Sequence, residues 1–511
     1  DRSRAVRPPR SGGEPRAAPN VKMDWLFRPS RVMFASLDAM SMHDLPRIAA
    51  SWGMNEFTDL GLSPALLQAL EVSAYQQMTP IQAQGLPPLL AGRDLVAQAP
   101  TGSGKTVAFG LGLLQRLDPA LIQVQALVLC PTRELADQVG KQIRRLALAI
   151  PNLKLMILCG GVSLRPQLAS LAVHEPHVVV GTPGRIQELL RKGALKLGAV
   201  RTLVLDEADR MLDMGFEEAI REVVGKTPKE RQSLLFSATF PEAIREITRQ
   251  TLRDPVEVTV GSAAEQPAIE QYFYQVDLAG KPMLLANVLV ERKPESCVVF
   301  CNTRRDTDDV AAGLAGLGFA ALALHGDMEQ RDRDEVLVRF ANRSCSVLVG
   351  TDVAARGLDI TDLACVVNYE LPPDPNDYIH RIGRTGRAGR AGLALSLVTP
   401  RELSRATAIE AQQGASLRWV KSVANSTRAP TPPPAKMVTL RIDAGRTDKL
   451  RPGDIVGALT GEGGTEVEFI GKIDVYATRS YVAIDRRHVG KALDRLGRGK
   501  IKGKSFRVRR I

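Results

Sequence analysis

From Leu95 to Pro400 the chain repeats one pattern: a short apolar run, a polar or glycine-rich stop, then a stretch with helical spacing. ALVLC at 126–130, LKLMILCGG at 153–161, HVVVGTPGR at 177–185, TLVLDEAD at 202–209 and SLLFSAT at 233–239 form the first set. SCVVFCNT at 296–303, ALALHGD at 321–327, SVLVGTD at 346–352, ACVVNYELP at 364–372 and LALSLVTP at 393–400 form the second. Runs that are apolar throughout, rather than alternating, read as strands buried on both faces. Strands that alternate with helices imply a parallel sheet covered on both sides. The expected class is therefore α/β, with two tandem parallel-sheet units. Ligands of such sheets bind outside the carboxyl ends of the strands, so the stops are where function is sought.

The strongest stop precedes the first set. In LVAQAPTGSGKTVA, Leu95–Ala108, an apolar run enters A-P-T-G-S-G-K-T and then a helical stretch. This is the P-loop pattern with Ala99 in place of the first glycine. Backbone N–H groups of Thr101, Gly102, Ser103 and Gly104 can converge on phosphate, and the helix N-terminus favours the anion. Lys105 reaches the outer phosphates and Thr106 can ligate Mg²⁺. The pattern calls for ATP and Mg²⁺. At the end of TLVLDEAD, Asp206, Glu207 and Asp209 crowd together. Alone they read equally well as acids suited to a helix N-terminus. Beside a P-loop, Asp206 reads as a metal anchor that acts largely through water, and Glu207 as the residue that orients or deprotonates a water. Upstream, Ser63-Pro64 and Thr79-Pro80 open two helices. The second carries Gln82, whose amide offers the donor and acceptor that adenine requires. Phe57 and Tyr75 are placed to wall the base.

The remaining stops are rich in Thr, Arg and Gly: Pro131-Thr132-Arg133, Gly160-Gly161, Thr182-Pro183-Gly184-Arg185 and Ser237-Ala238-Thr239. A phosphate backbone laid across the strand ends accounts for the recurring Thr and Arg, which turn chemistry alone does not. The second unit has no P-loop. Its stops carry Thr303, Thr351-Asp352, Ala355–Asp359 and His380–Arg387. Arginines at this glycine spacing, Arg384 and Arg387, read as fingers presented to a γ-phosphate across a cleft.

A chain of 511 residues exceeds one core. Its net charge of +12 is uneven. Residues 436–511 hold 18 basic against nine acidic side chains, and residues 1–54 nine against five, leaving the segment between them at −1. A near-neutral engine with a basic tail suits a polyanionic partner. Residues 1–54 read as a disordered basic extension, 55–262 and 268–425 as the two sheet units joined by a linker at 261–271, and 426–435 as a Pro-rich linker. Residues 436–511 read as β-α-β-β-α-β, a small α+β domain like an RNA recognition motif. Its third strand keeps one aromatic, Tyr481, beside Arg479, and Thr439 stands where a stacking ring is usual. Basic clusters that include Lys500, Lys502 and Lys504 suit a structured RNA gripped by phosphate and shape. The six cysteines are expected reduced and buried. No run approaches a membrane span, no secretory signal is read, and a cytoplasmic protein is expected.

Residues 57–435 resemble the DEAD-box RNA helicases. The likeness runs in order through Phe57 and Gln82, Ala99–Thr106, Pro131–Leu135, Gly160-Gly161, Thr182–Arg185, Asp206–Asp209, Ser237–Thr239, Val298–Asn302, Thr351–Asp359 and His380–Arg387. The tail, with GDIVGALTGEGG, GKIDVY and GKIKGKSFRVR, resembles the RNA-binding domain of the DbpA subgroup. The resemblance implies two RecA-like domains and RNA-stimulated ATP hydrolysis with local strand separation. It also implies that Asp359 contacts the nucleotide and that Ser237, Thr239, Asp209 and His380 couple hydrolysis to movement. Strand-end residues Pro131, Thr132, Arg133, Gly161, Thr182, Gly184, Arg185, Thr303 and Thr351 would meet RNA, as would Arg479, Tyr481, Lys500, Lys502 and Lys504 of the tail. The substrate implied is 23S rRNA at hairpin 92, in a pre-50S particle, with the enzyme acting as a monomer. Two rivals remain: an ATP-gated RNA clamp, distinguished by a strand-displacement assay, and a DNA-directed P-loop helicase, distinguished by 2′-OH dependence.

Overall fold

The apolar runs become strands, and their order decides which stops meet. The first sheet is wholly parallel: β1 (Leu95–Gln98), β2 (Ala126–Leu129), β3 (Leu155–Leu158), β4 (Val178–Gly181), β5 (Thr202–Asp206), β6 (Gln232–Ser237) and β7 (Val256–Thr259), in the order β3-β4-β2-β5-β6-β1-β7. Successive side chains alternate between two layers although nearly all are apolar. Leu95 and Ala97 face a core with Phe109 and Ile143, while Val96 faces one with Ile186, Ile220 and Ile244. The pairings Gln98↔Ser237 and Asp206↔Phe236 set the ends of β1, β6 and β5 side by side. The P-loop, the Ser237–Thr239 stop and the acidic stop therefore share one edge. The computed structural model describes residues 56–99, 102–260, 269–352, 363–386, 391–420, 431–461 and 463–511. The extension at 1–54, residues 426–430 of the Pro-rich linker, and Thr101, Asp359 and Arg387 lie outside them.

The second sheet repeats the first. It holds β8 (Ile269–Gln275), β9 (Cys297–Phe300), β10 (Ala321–Leu324), β11 (Val347–Gly350), β12 (Cys365–Asn368), β13 (Gly392–Val398) and β14 (Trp419–Val420), in the order β10-β11-β9-β12-β13-β8-β14. Strand for strand this is the order of the first sheet, and it too is parallel. The linker expected at 261–271 is shorter than its sequence suggests, because β8 starts at Ile269, in register with Gly392. All six cysteines are buried and free. Among the described residues no helix is long and apolar enough to cross a membrane.

The tail forms an antiparallel sheet of β15 (Met437–Ile442), β16 (Ile470–Val475), β17 (Ser480–Asp485) and β18 (Val508–Arg510), in the order β16-β17-β15-β18. Leu440, Ile442, Val482 and Ile484 point to one face and pack on Ile455, Leu459 and Leu496 of the helices Pro452–Thr460 and Val489–Arg498. Thr439, Arg441 and Tyr481 occupy the other face.

Candidate active site

The P-loop joins β1 to the helix Lys105–Gln115. Gly104 has φ +97°, and a Cβ there would meet Gln82 Nε2 at 2.5 Å and Thr79 Oγ1 at 2.8 Å, so backbone conformation and space both require glycine. Lys105 is buried and donates from Nζ to Ala99 O at 3.0 Å, spanning the loop. The Ser103 hydroxyl is buried and has no hydrogen-bond partner among the described residues. Gln82 is committed more tightly than its sequence context suggests. Its Oε1 accepts from Thr79 N at 2.9 Å and its Nε2 donates to Gly104 O at 3.1 Å. One end of the amide caps the start of its own helix and the other braces the P-loop, so contact with adenine requires these bonds to be exchanged. Phe57 is buried in the core, and Tyr75 Oη accepts from Gln142 Nε2 at 2.9 Å, tying it to the helix Arg133–Leu146.

Asp206 ends β5 with 2 % of its surface exposed, and its Oδ1 has no hydrogen-bond partner among the described residues. Burial pushes its carboxyl up to about 7, against the pull of Lys105. An orphaned, buried carboxylate oxygen beside a phosphate loop fits a divalent cation, with Thr106 in the first helical turn as a second ligand. Glu207 follows with a left-handed backbone, φ 54° and ψ 54°. Its Oε2 accepts from Arg210 Nη1 at 2.6 Å. Burial opposes ionisation of Glu207, but Arg210, Lys105 and Arg384 outweigh it and hold the carboxyl below its usual range. Asp209 is bound to the neighbouring stop: its Oδ2 accepts from Ala238 N at 3.1 Å, Thr239 N at 3.0 Å and Thr239 Oγ1 at 3.0 Å. Ser237 Oγ accepts from Asp209 N at 3.3 Å and donates to Thr239 O at 2.7 Å. Any movement of the Ser237–Thr239 stop is thereby felt at the acids.

The second sheet faces this site. Arg384 is buried, and its charge acts on Glu207. His380 acts likewise on Asp209. The two halves are pinned by Arg333 Nη2 on Glu134 Oε1 at 2.9 Å; Glu134 lies in the Pro131–Leu135 stretch, whereas Arg333 did not stand out in the sequence. Arg381 turns inward, to Asp352 at 2.6 Å, Asn302 Oδ1 at 2.9 Å and Glu370 O at 2.7 Å, and so gathers the strand ends.

The stops expected to meet RNA divide into two groups. Gly161, Gly184, Thr132 and Arg133 retain open surface, Pro131 just before the last two is buried, and Thr303 is exposed and caps the helix Arg304–Gly316. Thr182, Thr351 and Arg185 are buried. Arg185 donates to Val162 O at 2.8 Å and Gln167 Oε1 at 2.9 Å, and Thr182 Oγ1 accepts from Gly160 N at 3.2 Å. These residues shape the glycine loop instead of presenting themselves. The tail requires a further correction. Tyr481 has 0 % exposure, and its Oη lies 3.4 Å from Glu335 Oε2, where Arg441 Nη1 also bonds at 3.3 Å. Thr439 meets Asn342 Nδ2 at 2.8 Å and Ser344 Oγ at 2.5 Å, and Arg479 donates to Arg331 O at 3.3 Å. The sheet face that would stack bases is thus sealed on the helix Gln330–Ala341 and the turn after it. Lys500, Lys502 and Lys504 stay exposed, together with Arg486, Arg487, Arg507, Arg509 and Arg510.

Residues 79–247 match the DEAD/DEAH box helicase family, 280–389 the helicase conserved C-terminal domain and 439–510 the DbpA RNA binding domain. The chain is 53 % identical over 457 residues to the ATP-dependent RNA helicase DbpA of Escherichia coli K12, covering 89 % of this chain and 99 % of that one. It is 44 % identical over 359 residues to the DEAD-box ATP-dependent RNA helicase CshA of Geobacillus kaustophilus, covering 70 % and 76 %. Among solved structures, Saccharomyces cerevisiae Dbp5 bound to RNA and ADP BeF3 superposes with a TM-score of 0.67 at 31 % identity, over 72 % of this chain and 96 % of that one.

Proposed function

The chain belongs to the DEAD-box ATP-dependent RNA helicases of the DbpA type, and from that premise we propose that it uses ATP to open short duplexes in 23S rRNA during assembly of the large ribosomal subunit. The observation that carries this reading is the buried carboxylate of Glu207 at the end of β5, paired with Arg210 Nη1 at 2.6 Å and held ionised by Arg210, Lys105 and Arg384 against its burial. Such a carboxylate stays ionised in a buried site, as a proton acceptor must.

In this reading the P-loop amides and Lys105 hold the ATP phosphates, and Gln82 exchanges its bonds for adenine, with Phe57 and Tyr75 beside it. Asp206 and Thr106 would hold Mg²⁺, which neutralises phosphate charge when bound. Glu207 takes the proton of the attacking water. Arg384, with Arg387, offsets charge on the transferred phosphoryl group, and Asp359 contacts the nucleotide from the same side. The site is complete only with the cleft closed. RNA laid across Thr132, Arg133, Gly161, Gly184 and Thr303 favours closure, and a strand bent to fit both halves cannot stay paired. Hydrolysis loosens the Asp209–Thr239 link and releases the strand. The tail binds hairpin 92 through its exposed basic surface and raises the local concentration of target. We read the enzyme as a cytoplasmic monomer acting on a pre-50S particle.

Strand displacement tests this reading. A duplex adjoining hairpin 92 should open with ATP and stay paired with ADP. ATP-dependent retention without displacement would make the protein a clamp, and equal ATPase stimulation by DNA would remove the RNA assignment.

A further inference from the structure

The two sheets share one strand order, so each stop around the P-loop has a counterpart in the second sheet. β8 stands where β1 stands, β12 where β5 stands and β13 where β6 stands. The counterpart of the P-loop is the turn after β8, which leads through Gly280 into the helix Lys281–Arg292. Lys281 is the first residue of that helix, as Lys105 is of its own. Both lysines are buried, and each reaches a main-chain carbonyl. Lys105 Nζ donates to Ala99 O at 3.0 Å, and Lys281 Nζ to Tyr369 O, just past β12, at 2.6 Å.

In the second sheet a carboxylate of the chain itself meets the lysine. Glu402 lies in the stop after β13, and its Oε2 accepts from Lys281 Nζ at 2.8 Å, Thr399 N at 2.9 Å and Thr399 Oγ1 at 2.8 Å. Its Oε1 accepts from Leu371 N at 2.9 Å. A lysine, a hydroxyl and two backbone amides are the kind of donor set that proteins offer a phosphate. Burial opposes ionisation of Glu402, but Lys281 and the Thr399 donors outweigh it and hold the carboxyl below its usual range. A buried ion pair is weak evidence for stability, since apolar side chains of similar volume often serve as well. The turn after β8 is filled too. Gly280 N donates to Asp277 Oδ1 at 2.7 Å, and Gly280 has φ −80°, not the left-handed conformation of Gly104.

We propose that the second sheet keeps a phosphate-type anion site at Lys281, and that Glu402 is the built-in anion that closes it to nucleotide. The chain then carries two sites on one plan, one for the phosphates of ATP and one filled by its own carboxylate. The stops after β8, β12 and β13 are thereby tied together by the chain itself. Removing the carboxylate leaves Lys281, Thr399 and the Leu371 amide without their common acceptor, and an inorganic oxyanion fits them.

The test compares the full chain as parent, Glu402→Ala and the Lys281→Met/Glu402→Ala double variant. ADP is kept in excess to occupy the P-loop, and equilibrium dialysis with radiolabelled inorganic phosphate reads the phosphate bound. Glu402→Ala should bind one phosphate more per chain than the parent, and the double variant should lose it. The thermal midpoint of Glu402→Ala should rise with phosphate more than the parent's, and chloride at equal ionic strength should not reproduce the rise. A cooperatively melting Glu402→Ala that binds no more phosphate than the parent would overturn the proposal. So would a double variant that keeps the added phosphate, because Lys281 would then not be its ligand. If Glu402→Ala does not melt cooperatively in chloride, phosphate decides: recovery of a cooperative melt supports the site, and no recovery overturns it.

Discussion

Glu207 and Gly104 are the residues on which the account is most exposed. Glu207→Gln keeps the size of the side chain and the hydrogen bond to Arg210 but removes the base. Turnover should fall by about 10²–10⁴ while ATP and RNA affinities hold, as read by steady-state ATPase and equilibrium titration. Near-normal turnover would take Glu207 out of the proton transfer. Gly104→Ala fails for a different reason. Its φ of +97° strains an alanine, and the added methyl would displace the Gln82 amide, 2.5 Å away. Strain of about 1–3 kcal/mol should fall on the P-loop and weaken binding of a fluorescent ADP analogue by tenfold or more. Unchanged affinity would mean that the left-handed backbone at Gly104 is not needed in the binding-competent state.

At the scale of elements, the sealed face of the tail gives the sharpest expectation. Thr439→Val leaves the buried Asn342 amide and Ser344 hydroxyl short of a partner. It should cost about 1–3 kcal/mol, measured by denaturant unfolding. No change would mean that the face is not packed there in solution. The element record also marks what a sequence can carry. β5 was legible because Thr202–Leu205 is apolar enough to lie between two helical layers and ends in acids. Within each sheet the stops pointed to one edge because parallel strands all end there. β7 and β14 are edge strands and too short or polar to stand out, VEVT and WV, and β8, one place in from the edge, mixes polar with aromatic residues in IEQYFYQ. The bond of Gln82 to Gly104, the inward turn of Arg185 and the pairing of Thr439 with Asn342 span 22, 23 and 97 residues. They depend on which distant group fills the space beside each side chain, and residue type alone does not fix that. Thr439 in place of a ring was the one visible sign that the tail sheet had another use. Arg210 lies one residue beyond the acidic stop, and its type and spacing alone do not show that it folds back onto Glu207.

Across the whole molecule, the account divides labour between a motor built from two sheets and a tail that finds the target. Removing 436–511 should leave RNA-stimulated ATPase in place and erase the preference for one RNA. The near-neutral core and the +9 tail assign most of the long-range attraction to the tail. The same truncation uncovers Asn342, Ser344 and Glu335, so the shortened protein should also be less stable. The most direct measurement is steady-state ATPase of the full chain with two RNAs of equal length at moderate salt. One is a 23S rRNA fragment containing hairpin 92, and the other is unstructured. The account predicts strong stimulation by the hairpin fragment and little by the other, and equal stimulation by both would contradict it.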